Sequence, residues 1–213
     1  MGRFKAVIFD WDGTLFDSVK HAMKVYKRLF KILGIDGVRW KDFREEFKAD
    51  YHKYYAEKGI PKAAFEAVDA LWIQLYNEGS KGLRLVNGAK AMLRKLKKRN
   101  VKLGIVSNGS RSRIMAEIEA HGLAGFFDVV VTGDEIPEFK PSPKGVIYAL
   151  RVLGVKPSEA LYIGDMAEDI KAGRMAGVKT AAVASGIHTV KRLAKERPDY
   201  IMQDVRGIMQ IVE

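Results

Sequence analysis

The chain contains no cysteine. Disulfides and thiolate metal sites are therefore excluded, and a reducing, cytoplasmic setting fits best. No apolar run reaches the ~18 residues a membrane span needs, so no membrane association is expected. The start, Met1-Gly2-Arg3-Phe4-Lys5, passes straight into an apolar run and leaves no room for a signal peptide. Side-chain amides are scarce, seven Asn and Gln in 213 residues. With no cysteine and abundant Lys, Arg and Glu, that composition leans toward a thermophilic source. There is no internal repeat and no low-complexity segment. Basic residues outnumber acidic ones, 37 to 26, for a net charge of +11, yet they are not run together. The densest groups are Lys95, Lys97, Lys98 and Arg99, then Lys191, Arg192, Lys195 and Arg197. Both fall on predicted amphipathic helices, where they read as solvated faces. A nucleic-acid-binding module would show a continuous basic stripe, so no nucleic-acid partner is expected.

What the chain does contain is 47% hydrophobic and 30% charged residues, the composition of an ordinary folded domain. Phe4, Ala6, Val7, Ile8 and Phe9 form an apolar run that suits a strand buried on both faces. From about Ser18 to Lys81 the periodicity is helical. One helix runs from His21 to Leu33 and ends at Gly34; a second carries Trp40 to Tyr55 and ends at Gly59; a third opens at Pro61. The aromatic residues concentrated there read as the core of a helical insert. From Leu83 onward helices and strands alternate. Strands are expected at 101–106, 129–131, 161–163, 180–183 and 200–202, with a last helix over 205–212. Asn87, Ser110 and Ser142 are placed to cap helices, with Pro143 at the first helical position. This alternation predicts an α/β fold: a Rossmann-like parallel-sheet core with helices on both faces, over residues 1–16 and 83–213. Residues 17–82 are expected to form an inserted helical cap hanging over the strand ends.

The chemistry gathers at predicted strand ends. Asp10-Trp11-Asp12-Gly13-Thr14 follows the first strand, Ser107-Asn108-Gly109 the second, and Gly164-Asp165, with Asp169 four residues on, a later one; Lys140-Pro141 lies in a loop. An open parallel sheet brings such points to one edge. Asp10, Asp12 and Asp165 are hard oxygen donors of the kind Mg²⁺ takes. Mg²⁺ and a lysine together can bind a phosphoryl group and offset its charge. One carboxylate can attack phosphorus while a second handles the proton. Taken singly, each residue has a plainer reading: a polar turn, a helix cap, a first-turn acid.

Together, these four motifs in this order resemble the haloacid dehalogenase superfamily, and within it the capped phosphoglycolate phosphatase and β-phosphoglucomutase-like group. The resemblance covers almost the whole chain. It implies a Mg²⁺-dependent phosphatase acting on a small phosphorylated metabolite through an aspartyl phosphate. Asp10 would be the nucleophile and Asp12 the general acid/base. Mg²⁺ would be held by the Asp10 carboxylate, the Asp12 backbone carbonyl and the Asp165 carboxylate. Ser107 with Asn108 and Gly109 would bind phosphate oxygens, Lys140 would bridge phosphate and Asp10, and Thr14 and Asp169 would support the site. Met166 stands where the family often has Ser or Thr. A phosphomutase is the alternative on the same core, and a metal-free dehalogenase is disfavoured by Asp12. A monomer or homodimer is expected. Tyr51, His52, Lys53 and Tyr54 are candidates for substrate contact by position in the cap. Arg111 and Arg113, which follow the second motif, are read as solvent-facing, with reach to an anionic substrate as the alternative; His21, His52, His121 and His188 are read as surface or core polar groups, with His21, where the cap begins, also placed to face substrate.

Overall fold

The computed structural model describes residues 4–36, 38–136 and 138–212. The opening Met1-Gly2-Arg3 and its reading lie outside them. Six parallel strands form one sheet in the order β3-β2-β1-β4-β5-β6, built from β1 (Ala6–Phe9), β2 (Lys102–Val106), β3 (Val129–Val131), β4 (Ala160–Gly164), β5 (Lys179–Val183) and β6 (Tyr200–Met202). Every residue of β1 and of β4 is buried. Alternate side chains feed two cores. Val7, Phe9, Leu103, Ile105, Leu161 and Ile163 face one side with α5 (Ala89–Lys98) and α6 (Arg111–Ala120). Ala6, Ile8, Val106, Ala160 and Tyr162 face the other with α7 (Lys144–Leu153) and α8 (Ala167–Met175). This period-2 alternation with both faces covered is why the strands read as unbroken apolar runs. A short α9 (Val190–Lys195) and a 3₁₀ turn at Val205–Gln210 close the chain, the latter where a final helix was expected.

Register fixes where the chemistry goes. Phe9 lies opposite Ile105 on β2 and Ile163 on β4, and Val106 lies opposite Val131. Asp10, Ser107 and Asp165 therefore emerge within about one residue of the same level, at the carboxyl edge where the strand order reverses around β1.

Between β1 and α5 the chain forms α1 (Val19–Ile32), α2 (Trp40–Glu46), α3 (Tyr51–Glu57) and α4 (Phe65–Ser80). They pack around their own cluster of Tyr26, Phe30, Phe43, Phe47, Tyr54, Val68 and Leu75. The two connecting segments run side by side, Asp17 N–H donating to Arg84 O and Val86 N–H to Leu15 O. The helix expected from Trp40 to Tyr55 is broken. Phe47 leaves the helical region (φ −57°, ψ 140°), and Asp50 caps α3 by accepting from Lys53 N–H. The cause is tertiary: carbonyls that a continuous helix would use internally are taken by the α/β core. Phe47 O accepts from Arg192 and lies 3.1 Å from His188 Nε2, and Ala49 O accepts from Asn108 Nδ2 at 2.9 Å. Arg44 reaches the same way, donating to Ile187 O at 2.6 Å. Two cap positions also shift: Gly88 (φ 78°), not Asn87, precedes α5, and α7 starts at Lys144, one residue later than expected.

Candidate active site

Asp10 follows β1, and its N–H donates to Ile163 O at 2.8 Å, so the sheet ladder itself fixes its backbone. Its carboxylate is buried beside Lys140, whose Nζ donates to Asp10 Oδ1 at 2.6 Å and to Asp169 Oδ1 at 2.7 Å. Asp169 also accepts from Tyr162 OH (3.0 Å) and from Met166 N–H (2.9 Å). Asp165 accepts from Ile187 N–H at 2.6 Å and, through its other oxygen, from Thr14 Oγ1 at 3.4 Å. Two glycines make room for it: Gly13 sits at φ +78°, and a Cβ on either Gly13 or Gly186 would fall onto the Asp165 side chain. The chain thus brings together Asp10, Thr14, Lys140, Asp165 and Asp169 from segments far apart in sequence.

The charges do not balance. Donor oxygens of Asp10, Asp165 and Asp169, all buried, lie within 4.8 Å of one another around a single ammonium. Burial pushes the Asp10 carboxyl up to about 7, with repulsion from Asp169 and Asp12 added and Lys140 pulling the other way. Burial, and then repulsion from Asp10 and Asp169, raises Asp165 well above the carboxylate range. Burial alone would lower the Lys140 ammonium, but Asp10 and Asp169 outweigh it and hold it well above the usual lysine value. Such a cluster of hard oxygen donors, with more negative charge than the lysine can offset, suits a divalent cation. Asp169 already spends its oxygens on Lys140, Tyr162 and Met166, which leaves Asp10 and Asp165 as the better donors.

Ser107 and Asn108 reach the same edge. Gly109 N–H turns back to Ser107 Oγ at 3.2 Å. The Asn108 side chain is not available for phosphate: its amide nitrogen bonds Ala49 O, and its oxygen accepts from Lys140 N–H at 3.3 Å. Asn108 ties the helical insert to the backbone of Lys140, and only its main chain remains as a ligand donor. The Met166 side chain, buried, joins the apolar cluster of the insert.

The Arg113 reading is overturned. Arg113 is not solvent-facing; its side chain is 14% exposed and its Nη2 donates to Asp12 Oδ2 at 2.6 Å. It also pairs with Glu117 Oε2 at 3.0 Å, and its guanidinium lies 5.1 Å from the centre of the Tyr76 ring. Burial opposes the charge on Asp12, but Arg113 and the Ser18 hydroxyl, 2.7 Å away, hold its carboxyl below the usual value. Arg111 is exposed as expected and pairs with Glu135. The signal in the sequence was the spacing Arg113 to Glu117, one helical turn apart on the helix after Ser107; the partners across the fold, Asp12 and Tyr76, had none.

A cavity of about 490 Å³ lies over these groups, lined by Asp10, Asp12, Lys140 and Arg113 below and by Tyr26, Phe47, Tyr51, Tyr55, Trp72 and Tyr76 of the insert above. Of the cap candidates, Tyr51 lines it. Tyr54 is buried in the insert's own core, Lys53 is 67% exposed and paired with Asp50, and His52 pairs with Asp69. His188 is wholly buried, accepting from Ala167 N–H at Nδ1; burial and Arg192 push it down to about 4, so it is a neutral core group. No described helix is long and apolar enough to cross a membrane.

Comparison with known proteins agrees with this geometry. The sequence model of haloacid dehalogenase-like hydrolases matches residues 7–183. The chain is 30% identical to a phosphoglycolate phosphatase of Aquifex aeolicus, over 98% of this chain and 97% of that one. It is 32% identical to the pyrophosphatase PpaX of Oceanobacillus iheyensis, over 98% and 96%. The crystal structure of a predicted phosphoglycolate phosphatase from Haemophilus somnus superposes with a TM-score of 0.84 at 24% identity, covering 100% of both chains, a likeness of fold. The chain belongs to the haloacid dehalogenase-like hydrolase family.

Proposed function

We propose that this chain is a Mg²⁺-dependent phosphatase that hydrolyses a small phosphorylated metabolite through an aspartyl phosphate on Asp10. The observation that carries the reading is the buried Lys140 bridge between Asp10 and Asp169, with Asp165 alongside, at the floor of the cavity. The names of the two relatives, a phosphoglycolate phosphatase and a pyrophosphatase, point the same way. On this reading residues 17–82 serve as the cap.

Asp10 supplies the attacking oxygen: its bond to phosphorus forms as the bond from phosphorus to the leaving oxygen breaks. Lys140 holds Asp10 in place and offsets charge on the transferring group. Ser107 and the main-chain N–H groups of Asn108 and Gly109 seat the phosphate oxygens. Asp12, protonated once it is clear of Arg113, gives the leaving oxygen that proton, then takes one from the water that attacks the aspartyl phosphate, which frees phosphate and restores Asp10. The aromatic wall of the cap excludes bulk water while this happens. Asp10 and Asp165, with the Asp12 carbonyl, would hold Mg²⁺; when bound, the ion supplies positive charge that lowers repulsion between the anionic nucleophile and the anionic substrate. Thr14 and Asp169 act by fixing Asp165 and Lys140.

The test is a phosphate-release screen over a panel of small phosphate esters, with Mg²⁺ and with a chelator. Release is expected only with the divalent ion, and Asp10→Asn is expected to reduce it by at least about 10⁴-fold. Equal release by the Asn variant removes Asp10 as nucleophile.

A further inference from the structure

Arg113 is the cation at this site that the proposed chemistry does not use. Among the described residues lining the cavity, Lys140 and Arg113 are the cations. Lys140 is committed to Asp10 and Asp169. Arg113 carries two carboxylates at once: Asp12 on both nitrogens, at 2.6 and 3.1 Å, and Glu117 at 3.0 and 3.2 Å. The two are held very differently. Glu117 also accepts from Trp11 Nε1 (2.7 Å) and Tyr76 OH (3.0 Å), and its side chain is 12% exposed. Asp12 has the Ser18 hydroxyl besides Arg113, and its side chain is 32% exposed, on the cavity it lines.

A guanidinium fork fits any oxyanion, a carboxylate or a phosphate as well as Asp12. A further oxyanion in the cavity cannot share this fork with both present partners. One cation would then face three negative groups in a largely apolar chamber. One carboxylate must yield, and the less tied of the two is Asp12.

The geometry points to Arg113 as the seat for a second oxyanion on the leaving group, occupied by Asp12 until substrate takes it. Arg113 is thus the residue that selects, among phosphate esters and anhydrides, those whose leaving group carries a second oxyanion, a set that includes the substrates named for the two relatives. The inference rests on the hydrolase reading above and narrows it. The exchange does two things. It anchors the leaving group, and it releases Asp12 from the fork into the cavity that Asp12 lines. Glu117, Trp11 and Tyr76 keep the guanidinium in place through the exchange. A neutral leaving group fits the same cavity but leaves the Asp12–Arg113 pair closed.

The experiment compares kcat/KM, with Mg²⁺, for phosphoglycolate, pyrophosphate and 2-hydroxyethyl phosphate, the last a neutral counterpart of the first. The wild type is expected to favour at least one oxyanion-bearing substrate over 2-hydroxyethyl phosphate by about 10-fold or more, the scale of a lost buried charge pair. Preference for phosphoglycolate alone identifies a carboxylate as the occupant; preference for pyrophosphate alone identifies a phosphate. Arg113→Gln is expected to cut the preference to about 2-fold or less, and Arg113→Lys, which keeps charge without the fork, to leave an intermediate value. A merely structural role would slow all three substrates by one factor. Equal efficiency on charged and neutral leaving groups in the wild type, or an unchanged preference in Arg113→Gln, overturns the inference and leaves ester hydrolysis standing. The wild-type comparison does so without any variant. No release from any of the three also overturns the inference, and the wider panel of phosphate esters then decides the hydrolase reading separately.

Discussion

Replacing Lys140 with methionine removes the one cation between Asp10 and Asp169 while keeping most of the side-chain volume. Its Nζ lies 2.6 and 2.7 Å from the two carboxylates, and the side chains involved are between 1% and 7% exposed, so water can replace it only in small part. Breaking a buried pair by deleting one partner costs about 3–5 kcal/mol, because the remaining charge is stranded. Asp169 keeps Tyr162 OH and Met166 N–H, so the stranded charge is chiefly that of Asp10. The cost must depend on pH. In the wild type Asp10 is raised from 3.8 to about 7, so its contribution to stability is fully present below 3.8, falls as pH rises, and levels off above about 7. Without Lys140 its folded value rises further, and the variant goes on losing stability after the wild type has levelled. The gap therefore widens above pH 7, by ~1.4 kcal/mol for each pH unit over which Asp10 of the variant stays protonated after that of the wild type has ionised. Lys140 itself stays charged over that range, since its neighbours raise it. Urea unfolding of both proteins at pH 5, 7 and 9 measures the gap. A gap that is flat from pH 7 to 9, or below about 1 kcal/mol throughout, refutes the claim that Lys140 compensates a dry acid cluster.

Gly186→Ala is expected to push the Asp165 side chain aside, costing about 1–3 kcal/mol and weakening stabilisation by Mg²⁺ in a thermal-shift titration; an unchanged titration would separate Asp165 from the ion. His188, depressed from 6.5 to about 4, stabilises above 6.5 and loses that contribution as pH falls toward 4, so the advantage of wild type over His188→Asn should shrink by about 3 kcal/mol between pH 7 and 4, read by urea unfolding. Lys53→Ala, on an exposed side chain away from the cavity, is expected to leave the substrate ranking unchanged in the phosphate-release screen; a changed ranking would bring the α3 surface into the site.

The sequence carried the sheet and the site floor because both are written locally. Unbroken apolar runs mark β1 and β4, and Asp10, Ser107 and Asp165 each follow a strand, so parallel topology brings these three to one edge with no long-range information. What it did not carry depends on contacts between remote segments. The break after Phe47 arises because His188, Arg192 and Asn108 claim backbone carbonyls that helical periodicity assigns to the helix itself. Arg113 reads as an ordinary charge on a helix face; only the fold reveals that this face meets Asp12 and Tyr76. Asn108 follows β2 as the sequence predicts, but its amide serves the junction between insert and core. The lining of the cavity was open for the same reason: Tyr54 and Tyr51 are three residues apart on one short helix, yet one faces the insert's core and the other the chamber.

The most direct measurement catches the intermediate on the chain itself. Enzyme quenched during turnover of a phosphate ester with Mg²⁺ is treated with borohydride, which reduces an acyl phosphate to an alcohol, and the peptide carrying Asp10 and Asp12 is sequenced by mass spectrometry. Reduction at Asp10, and not at Asp12, is the expected result. Sustained phosphate release with both aspartates unmodified, or with the mark on Asp12, would contradict a nucleophile at Asp10 poised by Lys140.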